Sequence, residues 1–285
     1  MDENKTNINW YPGHMNKAKK QMENDLKVID AVVEILDARI PLSSKNPDID
    51  TMAKNKYRVI ILNKCDLADP ERTAFYKKYY EDKGFFVNTC NSRSSAGVRG
   101  SLEIITRSCE EKIKKDRARG IIGRPIRAMV VGIPNCGKST FINSIAGKAC
   151  TKTGNKPGVT KGQQWIRLNK QVELLDTPGI LWPKFEDQSV GMKIAFIGSI
   201  NDDILYPEEL AYYLIGVLKE RYPESLKTRY FEDCDEIPED NNEIINMIAV
   251  SRGALAAGGR PDTVKASKLI IDDFRSSRIG KITLE

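Results

Sequence analysis

Short runs of aliphatic and β-branched residues recur along the first two-thirds of the chain, each closing in a polar or glycine-bearing turn. The pattern predicts strands in IDAVVEILDAR, YRVIILNKCD, GFFVNTC, RAMVVGIP, QWIRL and VELLDTPG. Several of these runs are almost wholly apolar, as expected of strands covered by helices on both faces of a mainly parallel sheet. Helical spacing fills the intervals at about 70–83, 101–116 and 138–147. Beyond about residue 190 the strand pattern stops. PEELAYYLIGVLKERY, NNEIINMIAVSRGAL and PDTVKASKLIIDDFRSS place apolar residues three and four apart. The expected architecture is α/β: a doubly wound, mainly parallel sheet domain over 1–185, followed by a small all-helical domain over 190–285.

A chain of 285 residues can bury the core of such a pair of domains. Lysine and arginine exceed acidic residues by six, which favours polyanionic partners without identifying one. Seven of these cations lie in KIKKDRARGIIGRPIR at 112–127, read either as a solvated helix end running into a linker or as a nucleic-acid contact. The six cysteines form no CxxC pair, and histidine occurs once, so free thiols of a reducing compartment are expected. MDENKTNINW has no apolar run, and no stretch nears the roughly 18 apolar residues that span a bilayer. The chain has neither an MG start nor a C-terminal cysteine box. These features point to a soluble, cytoplasmic protein and count against a membrane-associated signalling role.

GIPNCGKS, from Gly132 to Ser139, fits GxxxxGK[ST] between an apolar strand and a helical run. Backbone N–H groups over Asn135, Cys136, Gly137, Lys138, Ser139 and Thr140 would cradle phosphates at a helix N-terminus. Lys138 would reach the β- and γ-phosphates, and the Ser139 hydroxyl would bind Mg²⁺. DTPG closes another apolar strand; Asp176 could hold the same Mg²⁺ through water, and the Gly179 N–H could sense a γ-phosphate. NKCD, spanning Asn63, Lys64, Cys65 and Asp66, is a guanine box. The Asp66 carboxylate can accept from guanine N1–H and the amino group, a pair that adenine lacks. Asn63 would tie the base to neighbouring loops and the Lys64 stem would cover the ring; the competing reading makes Asp66 a helix N-cap. Thr89 and Cys90 end the next strand, where a small-residue loop could support the base oxygen.

The order is unusual, because the guanine box precedes the phosphate loop. Every element nevertheless follows a strand, and ligands of doubly wound sheets bind outside the carboxyl ends of strands. That geometry survives if the old termini are joined and the chain is cut elsewhere. A circularly permuted P-loop GTPase, joined through 112–127, accounts for all the elements together.

With WYPGHM at 10–15, DARIP at 37–41, NKCD, GIPNCGKS, PGVT, DTPGILWPKFED and the closing DDFRSSRIGKITLE, the chain resembles the YlqF-type circularly permuted GTPases over essentially its whole length. The resemblance implies a GTP/GDP-binding hydrolase that assists late assembly of the large ribosomal subunit. It would bind the precursor, through ribosomal RNA and ribosomal proteins, when loaded with GTP, and leave after hydrolysis. Thr160 fits the switch threonine on Mg²⁺, and Asn135 fits the asparagine that offers an oxygen to K⁺ in potassium-stimulated relatives, although a turn-forming role suits it equally. Ile180 stands where conventional GTPases orient the attacking water with glutamine, so a low intrinsic rate is expected. The resemblance assigns water orientation to His14, completed on the ribosome; an exposed histidine touching RNA is the other reading. Asp37 and Arg39 are read as organising the loop near the nucleotide, and Trp165 and Trp182 either stack on RNA or pack.

The switch after Gly179 should run by a short tether into the helical domain, whose Arg252, Arg260, Lys265, Lys268, Arg275, Arg278 and Lys281 are candidate phosphate contacts. A monomer is expected. The alternative is a GTP-gated RNA-binding checkpoint with negligible turnover, favoured by Ile180.

Overall fold

The computed structural model describes residues 10–151, 154, 163–232 and 236–285. All six expected strands form, as β1 (Ala31–Asp37), β2 (Tyr57–Asn63), β3 (Phe86–Cys90), β4 (Ile126–Val131), β5 (Gln164–Arg167) and β6 (Val172–Asp176). They make one sheet in the order β3-β2-β1-β4-β6-β5, parallel except where β5 runs against β6. β1 is buried along its whole length, as its unbroken AVVEILD implies for the centre of a covered sheet. Of its two buried carboxylates, the mid-strand Glu34 accepts from Arg58 Nη2 at 3.0 Å and from the Asn46 N–H at 3.2 Å.

The chain fills the sheet outward from β1 to β3, then returns to lay β4 on the other side of β1. Strand order therefore reverses between β1 and β4, and the crevice beyond their carboxyl ends is where a ligand of such a sheet binds.

Ahead of β1 lies α1 (Gly13–Asp25), and after it α2 (Pro47–Met52) and α3 (Pro70–Asp82). The expected helix at 101–116 is two helices, α4 (Ser95–Ser108) and α5 (Glu110–Ala118). Ser108 Oγ donates to the Ile105 carbonyl at 2.8 Å at this break, competing with the helix ladder, and Cys109 is buried there. The first part of 112–127 is therefore helical. Lys112 and Arg124 reach Asp30 at 3.6 and 3.5 Å, which supports the structural reading of part of that charge. After β4 comes α6 (Lys138–Ala146).

Among the described residues, five further α-helices follow the sheet: α7 (Gln188–Phe196), α8 (Pro207–Arg221), α9 (Pro223–Tyr230), α10 (Asn241–Ser251) and α11 (Thr263–Arg275). α8 packs on both α10 and α11, burying Leu214 and Leu218 with Ile248, Ile270 and Phe274. The chain then turns back to the sheet. Ile282 N–H donates to Leu67 O at 3.2 Å, Leu284 N–H to Arg39 O at 2.8 Å, and Asp69 N–H to Thr283 Oγ1 at 3.2 Å. No helix among the described residues is long and apolar enough to cross a membrane.

Candidate functional site

The carboxyl ends of β1, β2, β3, β4 and β6 bring the expected loops together, and Asn63 is their hub. Its Nδ2 donates to Cys136 O in the phosphate loop at 2.8 Å, and its Oδ1 accepts from Ser92 N–H and Oγ–H at 3.1 and 2.7 Å. Asn63 is buried, so all three bonds form away from water, where leaving any of them unmade is costly. Lys64 follows with φ +59°, a left-handed conformation that an L side chain holds only when its surroundings enforce it. Its Nζ donates to Asn135 O at 2.6 Å and lies 2.9 Å from Asp37 Oδ2. Cys65 N–H bonds to Cys90 O at 3.2 Å, joining the guanine box to the end of β3 beside Thr89.

The two readings of Asp66 separate here. The N-cap of α3 is Asp69, whose carboxylate accepts from Glu71 and Arg72 N–H at 2.9 and 3.2 Å. Asp66 lies half-buried in the turn between β2 and α3.

The phosphate loop leads into α6 through Gly137, at φ +97°, where a Cβ would also collide with Asn63 Nδ2. Lys138 is buried and its Nζ donates to Gly132 O and Ile133 O at 3.1 and 2.9 Å. Ser139 and Thr140 continue the first turn of α6. The DTPG segment lies against this loop: a Cβ on Gly179 would stand 2.8 Å from Pro134 and 2.9 Å from Lys138 Nζ. Thr177 Oγ1 donates to Val130 O at 2.7 Å, fixing the segment to β4.

Asp176 is 1% exposed, and its Oδ1 has no hydrogen-bond partner among the described residues. Burial pushes its carboxyl up to about 6, against the pull of Lys138 and of the Thr177 N–H. A buried carboxylate oxygen beside a phosphate loop and without a partner is suited to a hydrated Mg²⁺, which could share Ser139. Burial raises the thiols of Cys65 and Cys136, and raises that of Cys90 to about 11, which disfavours the thiolate at these three positions.

Other expected residues fall as follows. Thr160 lies outside the described residues. Asn135, at φ +57°, donates through Nδ2 to Gly198 O, and Ser199 Oγ donates to Pro134 O at 2.5 Å. His14 is exposed on the first turn of α1, but its neighbour Met15 is fully buried and its sulfur accepts from Leu181 N–H at 3.5 Å. Ile180 is buried and its carbonyl accepts from Asn46 Nδ2 at 3.3 Å. Trp182 packs edge-on against Phe185, whereas Trp165 is 45% exposed with Arg127 over its ring. Arg275 requires a correction: it is not a surface phosphate contact but a fork, donating to Ala195 O and Phe196 O at 2.9 Å and to Asp202 at 2.7 Å. Arg278 pairs with Asp273 at 2.7 Å while its side chain stays exposed.

Sequence reasoning missed Ser92, Asn46 and Ser199. Ser92 sits two residues past Cys90 in the NSRSS run, and that cluster of small polar residues was the available signal. Asn46 precedes Pro47 and caps α2 through Asp48 N–H, a signature visible in NPD. Nothing local marks Ser199.

Known proteins share both the sequence and the arrangement. A family model described as 50S ribosome-binding GTPase matches residues 127–229; it starts at β4 and omits the guanine box upstream, as a permuted order requires. A ribosome biogenesis GTPase A of Bacillus cereus is 46% identical, covering 98% of this chain and 93% of its own. GNP-bound YlqF of Thermotoga maritima superposes with a TM-score of 0.63 at 28% identity, covering 94% and 97% of the two chains. The GDP-bound form of that protein gives 0.64 at 26%, covering 93% and 98%. With its guanine box, phosphate loop and DTPG gathered at one edge of a permuted sheet, the chain belongs to the YlqF-type ribosome biogenesis GTPase A family and is a GTP-hydrolysing enzyme.

Proposed function

We propose that this GTPase serves assembly of the large ribosomal subunit in the cytoplasm, binding the precursor particle as a monomer when loaded with GTP and leaving after hydrolysis. The observation that carries the nucleotide half of this reading is the Asn63 hub, which locks the guanine box, the loop after β3 and the phosphate loop into one pocket. The names of the relatives support the ribosomal half.

In this reading Asp66 selects guanine, Lys64 covers the base, and Lys138 with the backbone from Asn135 to Thr140 holds the phosphates. Gly179 senses the γ-phosphate, because its backbone already lies against Pro134 and Lys138. Asp176 and Ser139, with Thr160, hold Mg²⁺, and the Asn135 side-chain oxygen is offered to K⁺. Bound there, these cations supply charge neutralisation for the phosphoryl oxygens. Buried Ile180 cannot orient water, so the intrinsic rate is low. His14 supplies that function when the particle presses on α1, whose buried Met15 already touches the segment after Gly179. Exposed Arg252, Arg260, Lys265, Lys268 and Lys281 are the phosphate contacts of the helical domain over 190–285.

GTP hydrolysis measured with and without purified large-subunit precursors, in K⁺ and in Na⁺, tests the proposal. Stimulation by the particle, larger in K⁺, is expected; no stimulation in either salt overturns it. Ile180 favours a second reading, a checkpoint with negligible turnover. Unchanged particle-stimulated hydrolysis in His14→Ala removes that residue's catalytic role, and no stimulated hydrolysis in the unsubstituted protein favours the checkpoint.

A further inference from the structure

Asp37 ends β1 in the middle of the sheet, and its side chain is completely buried. Arg39 grips it with a fork: Nε donates to Oδ1 at 2.9 Å and Nη2 to Oδ2 at 2.8 Å, while the Arg39 N–H adds a third bond at 3.1 Å. The other side of Oδ2 meets the ammonium of Lys64 at 2.9 Å. Arg39 is anchored in turn from outside the sheet. Its Nη1 donates to Arg275 O at 3.2 Å, and its guanidinium lies 5.4 Å from the centre of the Phe274 ring. A carboxylate in this position is costly unless it is fully paired, so its retention calls for a reason.

Lys64 supplies one. Its backbone is held at φ +59°, and among the described residues its ammonium bridges two acceptors, Asn135 O and Asp37. A long lysine stem loses much rotamer freedom on being fixed, and two rigid acceptors remove that freedom before the base arrives. We propose that Asp37, clamped by Arg39, is a positioning residue for guanine-nucleotide binding: it holds Lys64 extended along the pocket so that its stem forms a preset face for the base. The proposal rests on Lys64 covering the base as assigned above.

The charged and titratable groups facing Lys64 are Asp37 on β1, Arg39 in the following loop and Cys136 in the phosphate loop. Burial lowers the Lys64 ammonium, Asp37 raises it and Arg39 lowers it again. Burial pushes Asp37 up, but Arg39 and Lys64 outweigh it and hold the carboxyl well below the usual range, so Asp37 stays ionised through neutral pH. Replacing Asp37 by a neutral isostere removes one of the two acceptors that fix the Lys64 ammonium and leaves Asn135 O as the other.

The test is GDP binding by the full chain at pH 7.5, measured with a fluorescent GDP analogue in the unsubstituted and Lys64→Ala backgrounds. Asp37→Asn should weaken GDP binding about tenfold in the unsubstituted background and by less than about twofold in the Lys64→Ala background, since it acts through Lys64. Asp37→Glu should recover part of the affinity. A general loss of packing would weaken binding equally in both backgrounds, and that outcome overturns the proposal, as does GDP affinity of Asp37→Asn within twofold of the unsubstituted protein. Should Asp37→Asn fail to fold, Arg39→Lys, which keeps the cation but loses the fork, carries the test: a loss of about threefold or more supports the proposal and no loss overturns it. Asp66→Asn runs in parallel. If it too leaves GDP affinity unchanged, the guanine-pocket assignment itself has failed rather than the role of Asp37.

Discussion

Asp176 offers the sharpest energetic prediction, because its burial works against folding and in favour of a bound cation. Its carboxyl rises from 3.8 to about 6 in the folded protein, so the native state holds the proton more tightly than the unfolded chain does. The sign follows directly: the penalty is absent below pH 3.8, grows as pH rises toward 6 and is complete above it. At roughly 1.4 kcal/mol per pH unit, that span is about 3 kcal/mol of stability lost at neutral pH. Asp176→Asn keeps the shape and removes the charge. Urea unfolding of the nucleotide-free protein should show the variant more stable by about 2–3 kcal/mol at pH 7.5 and by less than about 1 kcal/mol near pH 4.5. If Asp176 holds Mg²⁺ as proposed, GTP hydrolysis by the same variant should fall by at least about a hundredfold. Equal stability of the two proteins at pH 7.5, or a gain that does not change with pH, would refute the reasoning.

Gly137→Ala meets both a left-handed backbone and the Asn63 amide, so guanine-nucleotide affinity should fall by about tenfold or more in a titration; unaltered affinity would show that the Asn63 hub adapts. Asp69→Ala should lower stability by about 1 kcal/mol through loss of the α3 cap and leave nucleotide selectivity intact, whereas Asp66→Ala should do the reverse; unfolding curves and GDP-over-ADP competition separate them. Arg275→Met leaves two helix-end carbonyls and Asp202 without their guanidinium, and a loss of about 2–3 kcal/mol in urea unfolding is expected; a change under about 0.5 kcal/mol would mean water replaces the fork.

The sheet and its ligand edge were readable because each strand is a short apolar run and each motif follows one. Long-range organisation was not. α1 escaped because GHMNKAKKQMEND buries only Met15, Ala18 and Met22, a thin stripe among charges. α9 escaped because Tyr222 alone separates it from α8, and Pro223 reads as a stop although it opens the next helix. Asp66 and Asp69 both look like caps in CDLADP, and only the bond from Asp69 to the Glu71 N–H decides between them. Arg275 looked like one more surface cation of a basic helix; its partners lie more than seventy residues away, where no periodicity points.

That missed arginine changes how the two parts of the chain can communicate. A tether through the residues after Gly179 requires them to be movable, yet Ile180 and Leu181 are buried and pinned by Asn46 and Met15. A second route is built from contacts that close on themselves. Asn135 O receives Lys64, Lys64 pairs with Asp37, Asp37 with Arg39, and Arg39 with the Arg275 carbonyl; the Arg275 guanidinium holds the end of α7, and Gly198 just beyond it receives the Asn135 amide. Ser199 adds a bond to Pro134 in the same loop. Any shift of Asn135 as the phosphate loop closes on nucleotide must be shared by the 197–199 turn and α11, because each link is a buried or half-buried polar bond whose loss is costly. The guanine box and the phosphate loop are neighbouring links of this ring, joined directly by the bond from Lys64 to Asn135 O, so a displacement of either is passed to the helices that follow the sheet.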